Sequence, residues 1–219
     1  YDNIVKFMNS KLSYKIKIVD DFLNEDDFNE LCNLKIEKNS DEKFKIFHNE
    51  ISGNEILKSS IDEKLLIKLN KYHLKAMEIL KELSPEKFNL YDYSDFVLIL
   101  TDKNAKFPFH DDTPNKLLSG VIYLTPGKNS GTVFSNNRKG TNSEKVDWKQ
   151  NRAVFFSRKE RETWHAYEGD GVSNRLALVY NLNSNRLKEV YKAENKNYFY
   201  GNLRYKLNPY LHKYLKFTI

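Results

Sequence analysis

Two histidines and one aspartate in the second half of the chain could bind a metal ion. The tripeptide His110-Asp111-Asp112 is followed further along the chain by His165. In an extended segment, residues two apart project from the same face, so His110 and Asp112 would converge while Asp111 points away. Two imidazoles and one carboxylate suit Fe(II), Mn(II) or Zn(II). Three protein ligands also leave coordination positions open, which allows oxygen chemistry that a closed four-ligand site does not.

A single arginine in an otherwise apolar segment is the second feature with chemical meaning. Arg175 lies ten residues after His165, at the start of an apolar run. Burying a guanidinium is costly unless a carboxylate pairs with it, and its planar shape binds a carboxylate through two hydrogen bonds. We therefore expect Arg175 to bind a carboxylate of a ligand. Tyr123 is a second candidate donor to that carboxylate; the alternative is a core tyrosine whose hydroxyl is paired elsewhere.

The segments that carry these residues look like short strands in series. Turn signals rich in Gly, Asn and Lys separate them, and no helical pattern intervenes. The predicted strands cover residues 96–100, 117–125, 131–135, 152–157 and 174–182. Such a series is typical of an antiparallel sandwich or barrel.

The first part of the chain is predicted to supply helices. Segment 14–23 begins with strand-like alternation, and Asn24 can cap a helix from about Glu25 to Leu34. Residues 43–48 again predict a strand. Apolar residues from Ser59 to Leu83 recur at about one helical turn, which predicts one long helix or two consecutive ones.

The order of these motifs resembles the 2-oxoglutarate/Fe(II)-dependent dioxygenases, above all their prolyl-4-hydroxylase-like branch. In that branch a strand similar to residues 121–124 (Val-Ile-Tyr-Leu) follows the His-x-Asp turn. A strand similar to residues 153–156 (Ala-Val-Phe-Phe) precedes the distal histidine, and a basic residue comes nine or ten positions after it. The likeness covers about residues 90–182, and Val-Asp-Asp-Phe-Leu at 19–23 is also similar.

The resemblance implies a mainly β fold with supporting helices, namely a double-stranded β-helix barrel of the jelly-roll or cupin-like kind. It implies one domain over residues 1–219, with helical support at about 24–84, a β-helix core at about 90–182 and a C-terminal extension at 183–219. Segments 101–109 and 136–150 are expected to be loops that frame an open groove. No motif is recognised in the extension.

The resemblance also implies the ligand set and the reaction. His110, Asp112 and His165 would bind Fe(II), and Arg175 with Tyr123 would anchor 2-oxoglutarate. The reaction would use dioxygen to hydroxylate a substrate C–H bond and release succinate and CO2, with ascorbate as an optional reductant. Related halogenases have a small residue at the position of Asp112, so its presence favours hydroxylation.

The substrate is left open between several classes. The branch favours a peptidyl proline, and the alternatives are a small-molecule hydroxylase acting on an amino acid or a sugar, or a non-catalytic metal- or sugar-binding β-barrel. Nucleic acid is disfavoured, because demethylases of the superfamily typically carry a second arginine six residues after the anchoring one, where this chain has Asn181. The oligomeric state is not indicated.

Composition and charge argue against some classes of protein but do not identify a function. The net charge is +6, but 36 basic and 30 acidic residues are interspersed, which favours a solvated mixed-charge surface. Cys32 is the only cysteine, and neither a signal pattern nor a membrane-length apolar run is present, so we expect a cytoplasmic protein without membrane contact. Because the first residue is Tyr1 rather than Met, whether a targeting segment precedes it stays open.

Two basic segments are given structural interpretations. Residues 158–162 are predicted to form a solvated loop, with an acidic substrate as the alternative partner. The tail from Tyr198 to Phe217 interleaves aromatic and basic residues. We expect it to cover a core or close the mouth of the site, in preference to stacking on nucleic acid bases.

Overall fold

Two antiparallel sheets form the centre of the molecule. The computed structural model describes residues 5–7, 11–36 and 42–215. Within them the strands are β1 (Val5–Phe7), β2 (Ile16–Val19), β3 (Phe44–Ser52), β4 (Glu55–Lys58), β5 (Tyr93–Thr101), β6 (Lys106–His110), β7 (Lys116–Thr125), β8 (Thr132–Ser135), β9 (Glu144–Val146), β10 (Ala153–Phe156), β11 (Trp164–Glu168) and β12 (Arg175–Asn183). The eight-stranded major sheet has the order β1-β2-β10-β7-β12-β5-β3-β4, and the minor sheet has the order β6-β11-β8-β9.

The helices lie at the two ends of the sequence. They are α1 (Glu25–Cys32), α2 (Glu63–Asn70), α3 (His73–Leu83), a 3₁₀ helix (Pro85–Leu90), α4 (Leu187–Ala193) and α5 (Tyr198–Leu215). The predicted cap is confirmed, since the Asn24 side chain accepts a hydrogen bond from the Asp27 N–H at 2.9 Å. The segment Ser59–Leu83 contains two helices rather than one. Leu74 is 74% exposed, so the apolar pattern was wrong about that residue.

Helices α1 to α3 cover one face of the major sheet and form the main core. Leu66 and Leu80 of the helices belong to the same buried cluster as Leu98, Leu178 and Tyr180 of β5 and β12. Each of these five side chains is at most 1% exposed, which is the largest source of stability in such a fold. The other face of the major sheet is turned toward the minor sheet.

A smaller core lies between the two sheets. It contains Tyr123 and Val154 from the major sheet and Phe134 from the minor sheet, together with Phe156. Strand β12 is therefore covered on both faces, which explains its continuous apolar run. Because side chains alternate along a strand, Arg175 shares the face of β12 that borders the space between the sheets.

The mainly β class and the sandwich of two sheets confirm the predicted fold. Other strands add detail to the prediction. Strand β3 overlaps the strand predicted at 43–48, whereas β4, which pairs with it at the edge of the major sheet, was not predicted. Strands β6 and β9 occupy parts of the segments 101–109 and 136–150 that were predicted as loops, so those segments frame a groove only in part.

The C-terminal extension consists of α4 and α5. Residues 216–219, which include the last two residues of the predicted tail, and residues 1–4, 8–10 and 37–41 lie outside the described residues. Among the helices that the structure describes, none is both long and apolar enough to cross a membrane.

Candidate active site

Strand pairing brings the three predicted metal ligands together. His110 is the last residue of β6 and pairs with His165 of β11 in the antiparallel register, and Asp112 follows two residues later. One ligand atom from each of the three side chains lies within 4.8 Å of the other two. The imidazole centroids are 4.2 Å apart. This separation allows all three side chains to bind one ion.

Backbone carbonyls fix the orientation of the two imidazoles. His110 Nδ1 lies 2.8 Å from the carbonyl oxygen of Pro108, and His165 Nδ1 lies 3.4 Å from that of Thr163. A carbonyl can only accept, so we assign the proton to Nδ1 in both rings. The Nε2 atom of each ring is then left with its lone pair, as a metal ligand requires.

The carboxylate of Asp112 is held in its ionised form by two neighbours. Lys116 Nζ donates to one oxygen at 2.7 Å, and Ser119 Oγ donates to the other at 2.5 Å. Burial raises the pKa of Asp112, but the Lys116 ammonium and the two imidazoles outweigh it and leave that pKa well below its usual range. Burial, reinforced by His110, lowers the pKa of His165 to about 3. Both side chains are therefore in their metal-binding protonation states at neutral pH.

A cavity of about 150 Å³ opens beside these three side chains. Apolar side chains from the major sheet form much of its wall, and Lys116, Ser119, Thr132 and Arg175 supply polar groups. The apolar residues that line it are Ile99, Phe107, Val121, Phe156, Ala166 and Val179. A mostly apolar cavity with a few convergent polar groups is typical of a small-ligand site.

Arg175 is an unpaired buried cation in the wall of this cavity. It is 5% exposed, and its Nε and Nη1 atoms have no hydrogen-bond partner in the part of the chain that the structure describes. Its guanidinium carbon lies 3.5 Å from the centroid of the Tyr167 ring, which stabilises the charge from one side. Burial lowers the pKa of Arg175, but a guanidinium stays charged at any pH of interest. An unpaired charge in this position is costly, and a ligand carboxylate would satisfy it.

Tyr123, the second predicted anchor, does not line the cavity. It is fully buried, and its hydroxyl donates to Thr132 Oγ1 at 2.8 Å and accepts from the Thr132 N–H at 2.9 Å. Its ring stacks on that of Trp148 at 4.5 Å. Thr132 lines the cavity and pairs with the Tyr123 hydroxyl. Tyr123 therefore fits the alternative interpretation, a core tyrosine whose hydroxyl is paired within the protein. A direct bond from Tyr123 to the cosubstrate stays a prediction.

Several residues at the site were not identified from the sequence. Lys116 and Ser119 hold Asp112, and Thr132 lines the cavity. Ser119 lies on the same face of β7 as Val121 and Tyr123, so strand alternation could have predicted that it faces the site. Lys116 and Thr132 are common residue types in ordinary positions, and no sequence signal separates them from surface residues.

The prediction of a solvated loop at residues 158–162 was wrong for two of its members. Arg158 is 1% exposed and Glu160 is 6% exposed. Both are buried because charged residues of the C-terminal extension neutralise them, and the segment alone does not reveal those partners. In the tail, Arg204 contacts Asp111, but no described tail residue lines the cavity, so closure of the mouth of the site by the tail stays a prediction.

Comparison with solved structures shows what the fold is similar to. A 2OG-Fe(II) oxygenase family oxidoreductase from Burkholderia pseudomallei matches with a TM-score of 0.54 at 12% identity, over 78% of this chain and 87% of that one. The chain has the fold of these oxygenases. The match confirms the fold that the sequence resemblance predicts, including its two-sheet architecture. Comparison of the sequence with protein-family models and with curated proteins gave no match.

Two further structures with this fold carry different substrates in their names. A prolyl hydroxylase from Trichoplax adhaerens, in complex with a peptide fragment of a hypoxia inducible factor degradation domain, matches with a TM-score of 0.51 at 15% identity, over 79% of this chain and 85% of that one. The dioxygenase for auxin oxidation 1 from Arabidopsis thaliana, in complex with 2-oxoglutarate, matches with a TM-score of 0.52 at 11% identity, over 73% and 76%. Identities this low show the fold alone.

Proposed function

We propose that this protein is an Fe(II)- and 2-oxoglutarate-dependent dioxygenase that hydroxylates a C–H bond of its substrate and releases succinate and CO2. The observation that carries the proposal is the placement of an unpaired buried guanidinium, Arg175, in the same cavity as the His110, Asp112 and His165 side chains. The three ligands would hold a metal with an open face, and the guanidinium would hold a dicarboxylate.

The protein's own residues have distinct tasks in this reaction. When bound, iron supplies the dioxygen and one-electron chemistry that no side chain provides. His110, Asp112 and His165 hold the ion. Lys116 and Ser119 keep the Asp112 carboxylate ionised and oriented. A guanidinium bound to a carboxylate through two hydrogen bonds fixes the orientation as well as the position of the cosubstrate, and Arg175 has the free donors for this.

The walls of the cavity exclude water from the reacting groups. Ile99, Val121 and Val179 present apolar surface beside the polar groups. In such surroundings the attraction between Arg175 and a carboxylate is much stronger than in bulk water. The apolar walls therefore contribute to cosubstrate affinity without any direct polar contact.

For the substrate, we propose a polypeptide side chain, with proline first. The fold is shared with a prolyl hydroxylase that binds a peptide. At the rim, Phe44 is 47% exposed and its ring lies 5.5 Å from that of Phe107, which lines the cavity. Exposed aromatic surface beside a catalytic cavity suits an apolar ring such as proline.

The second candidate is a hydroxylase of a small molecule such as an amino acid or a sugar. The fold is also shared with the Arabidopsis enzyme named for auxin oxidation, and a cavity of about 150 Å³ fits a small ligand as well as a side chain. A non-catalytic metal-binding barrel is the weakest alternative, because it would leave the unpaired charge of Arg175 without a task.

The test measures both the hydroxylated product and the succinate that is released with it. The protein is incubated with Fe(II), 2-oxoglutarate, ascorbate and dioxygen, together with proline-containing peptides in one panel and free amino acids and sugars in another. Succinate release is measured in parallel with mass spectrometry for the gain of one oxygen atom. We expect both signals with peptides. Both signals with a small molecule alone would move the substrate to the second candidate, and no 2-oxoglutarate turnover in either panel would contradict the proposed function.

A further inference from the structure

The C-terminal helices reach the two segments that carry the proposed metal ligands. Arg204 of α5 and Glu194, which directly follows α4, both make ion pairs there. One segment is the turn that contains His110 and Asp112. The other is the connection 157–163 between β10 and β11, which leads into His165.

Arg204 acts on the residue between two of the ligands. Its Nη2 atom lies 3.0 Å from Asp111 Oδ2 and 2.7 Å from Glu160 Oε1. The same Asp111 oxygen accepts the main-chain N–H of Arg161 at 3.1 Å. The Arg204 and Asp111 side chains are 14% and 15% exposed, so this pair is shielded from solvent more than an ordinary surface salt bridge.

Glu194 reaches the same turn through Arg158. Its Oε2 atom lies 2.7 Å from Arg158 Nη1, and Arg158 Nε in turn donates to the carbonyl oxygen of Asp112 at 3.3 Å. Glu194 also accepts the Glu160 N–H at 3.0 Å and the Lys87 ammonium at 2.8 Å. Arg158 and Glu194 are 1% and 3% exposed.

The main chain of this turn lies outside the strand ladders, although Lys116 and Ser119 of β7 hold the Asp112 side chain. Strand β6 ends at His110, and residues 111–113 belong to neither a strand nor a helix. The contacts that position Asp111 and the Asp112 main chain therefore come from Arg204, Arg158 and the Arg161 N–H rather than from a strand ladder. The connection that leads into His165 is part of the same network, so charges on the extension link the two ligand segments in addition to the β6–β11 pairing that aligns His110 with His165.

We propose that Arg204 is a positioning residue for the metal site, acting through Asp111, and that the C-terminal helices are therefore part of the metal-binding unit. The inference rests on the proposed function, since it assumes that His110, Asp112 and His165 bind the ion. Outer-shell partners of metal ligands typically contribute 10- to 100-fold in metal affinity. Arg204 acts one residue away from the ligands, so we expect an effect near the lower end of that range.

The experiment measures Mn(II) affinity by electron paramagnetic resonance, with the melting temperature of each apo variant as a second readout. Arg204→Ala is expected to weaken Mn(II) binding about tenfold, and Arg204→Lys to recover part of the loss because it keeps the charge. Arg186→Ala is the matched control. Arg186 belongs to the same extension and pairs with Asp92 at 3.2 Å, and its variant is expected to bind Mn(II) as the wild type does.

A double-mutant comparison tests whether Arg204 acts through Asp111. Asp111→Asn alone should weaken Mn(II) binding by a factor similar to that of Arg204→Ala, and the double variant should be little worse than either one. Wild-type affinity in Arg204→Ala, or equal losses in Arg204→Ala and Arg186→Ala, would overturn the inference and leave the proposed function standing. If Arg204→Ala does not fold, the milder variant Asp111→Asn is used to test the inference. Unchanged Mn(II) affinity in that variant would likewise overturn the inference. A wild-type protein that binds no Mn(II) would overturn the proposed function and this inference together.

Discussion

Replacing Arg175 with methionine should change stability and cosubstrate binding in opposite directions. The guanidinium is 5% exposed, and two of its nitrogens have no hydrogen-bond partner among the described residues, so without ligand it is a buried charge that the Tyr167 ring stabilises from one side. Methionine has a long, flexible, apolar side chain that can fill most of the same space. The substitution therefore removes the unpaired charge while keeping much of the packing.

The magnitude follows from two opposing contributions. Burying an ion costs several kcal/mol after relaxation of the surroundings, whereas a desolvated cation–π contact returns about 2 kcal/mol. We expect Arg175→Met to raise the unfolding free energy of the ligand-free protein by about 1–3 kcal/mol, or roughly 2–4 °C in melting temperature for each kcal/mol. For 2-oxoglutarate, losing the charged partner of a buried carboxylate costs about 2–5 kcal/mol, which is a roughly 30- to several-thousand-fold weaker Kd.

The assay compares urea unfolding of the wild type, Arg175→Met and Arg175→Lys with and without Mn(II) and 2-oxoglutarate. The wild type should gain stability from the ligand, and Arg175→Met should start higher and gain almost nothing. Arg175→Lys keeps the charge without the planar fork, so it should show neither the full stabilisation nor full ligand binding. A ligand-free Arg175→Met protein that is less stable than the wild type by more than about 1 kcal/mol would refute the view that the guanidinium is unpaired.

Three further predictions concern other parts of the molecule. His165→Ala should abolish Mn(II) binding while leaving the circular dichroism spectrum unchanged, because the core does not depend on the ion; retained binding would place the metal elsewhere. Asp20→Asn should lower the unfolding free energy at pH 7 by about 1.5–3 kcal/mol, since Arg152 donates to both Asp20 oxygens, at 2.6 and 3.0 Å. The hydrogen bond from Arg152 holds the pKa of Asp20 below its ordinary value, so this contribution is complete above about pH 4 and is lost as the pH falls through the folded-state pKa. Urea unfolding at pH 7 and pH 3 should show the gap between the two proteins shrinking, and an equal gap at both would contradict the assignment. Tyr123→Phe should cost about 1–3 kcal/mol of stability by leaving Thr132 unpaired, with a smaller effect on the Kd for 2-oxoglutarate than Arg175→Met; the reverse order would make Tyr123 a direct anchor.

Most of the residues at the central site could be predicted from the sequence. Their positions depend on short spacings along the chain and on the strands that carry them. His110 ends β6 and Asp112 follows just beyond the strand, and Asp111 between them contacts a different partner, as the alternation of an extended segment predicts. His165 lies near them because β11 pairs with β6. Arg175 stood out as the one charge in an apolar strand, a pattern that burial makes costly and that a ligand can explain.

The parts that the sequence did not reveal depend on contacts between distant segments. The segment 158–162 looked like a solvated loop because five charged residues in a row usually are. Arg158 is buried by Glu194, and Glu160 by Arg204, and each partner lies more than 30 residues away along the chain. The partner of the Tyr123 hydroxyl could not be predicted for the same reason. Only the packing of β7 against β8 shows that this hydroxyl bonds to Thr132.

Titration calorimetry of 2-oxoglutarate into the Mn(II)-loaded protein tests the central claim most directly, because it needs no knowledge of the substrate. The cavity combines the three proposed metal ligands with a guanidinium that has no partner among the described residues, so binding should require both. We predict one binding site per chain in the wild type, much weaker binding without Mn(II), and none detectable in Arg175→Met. Equal 2-oxoglutarate affinity in all three samples, or no binding to the Mn(II)-loaded wild type, would contradict the account.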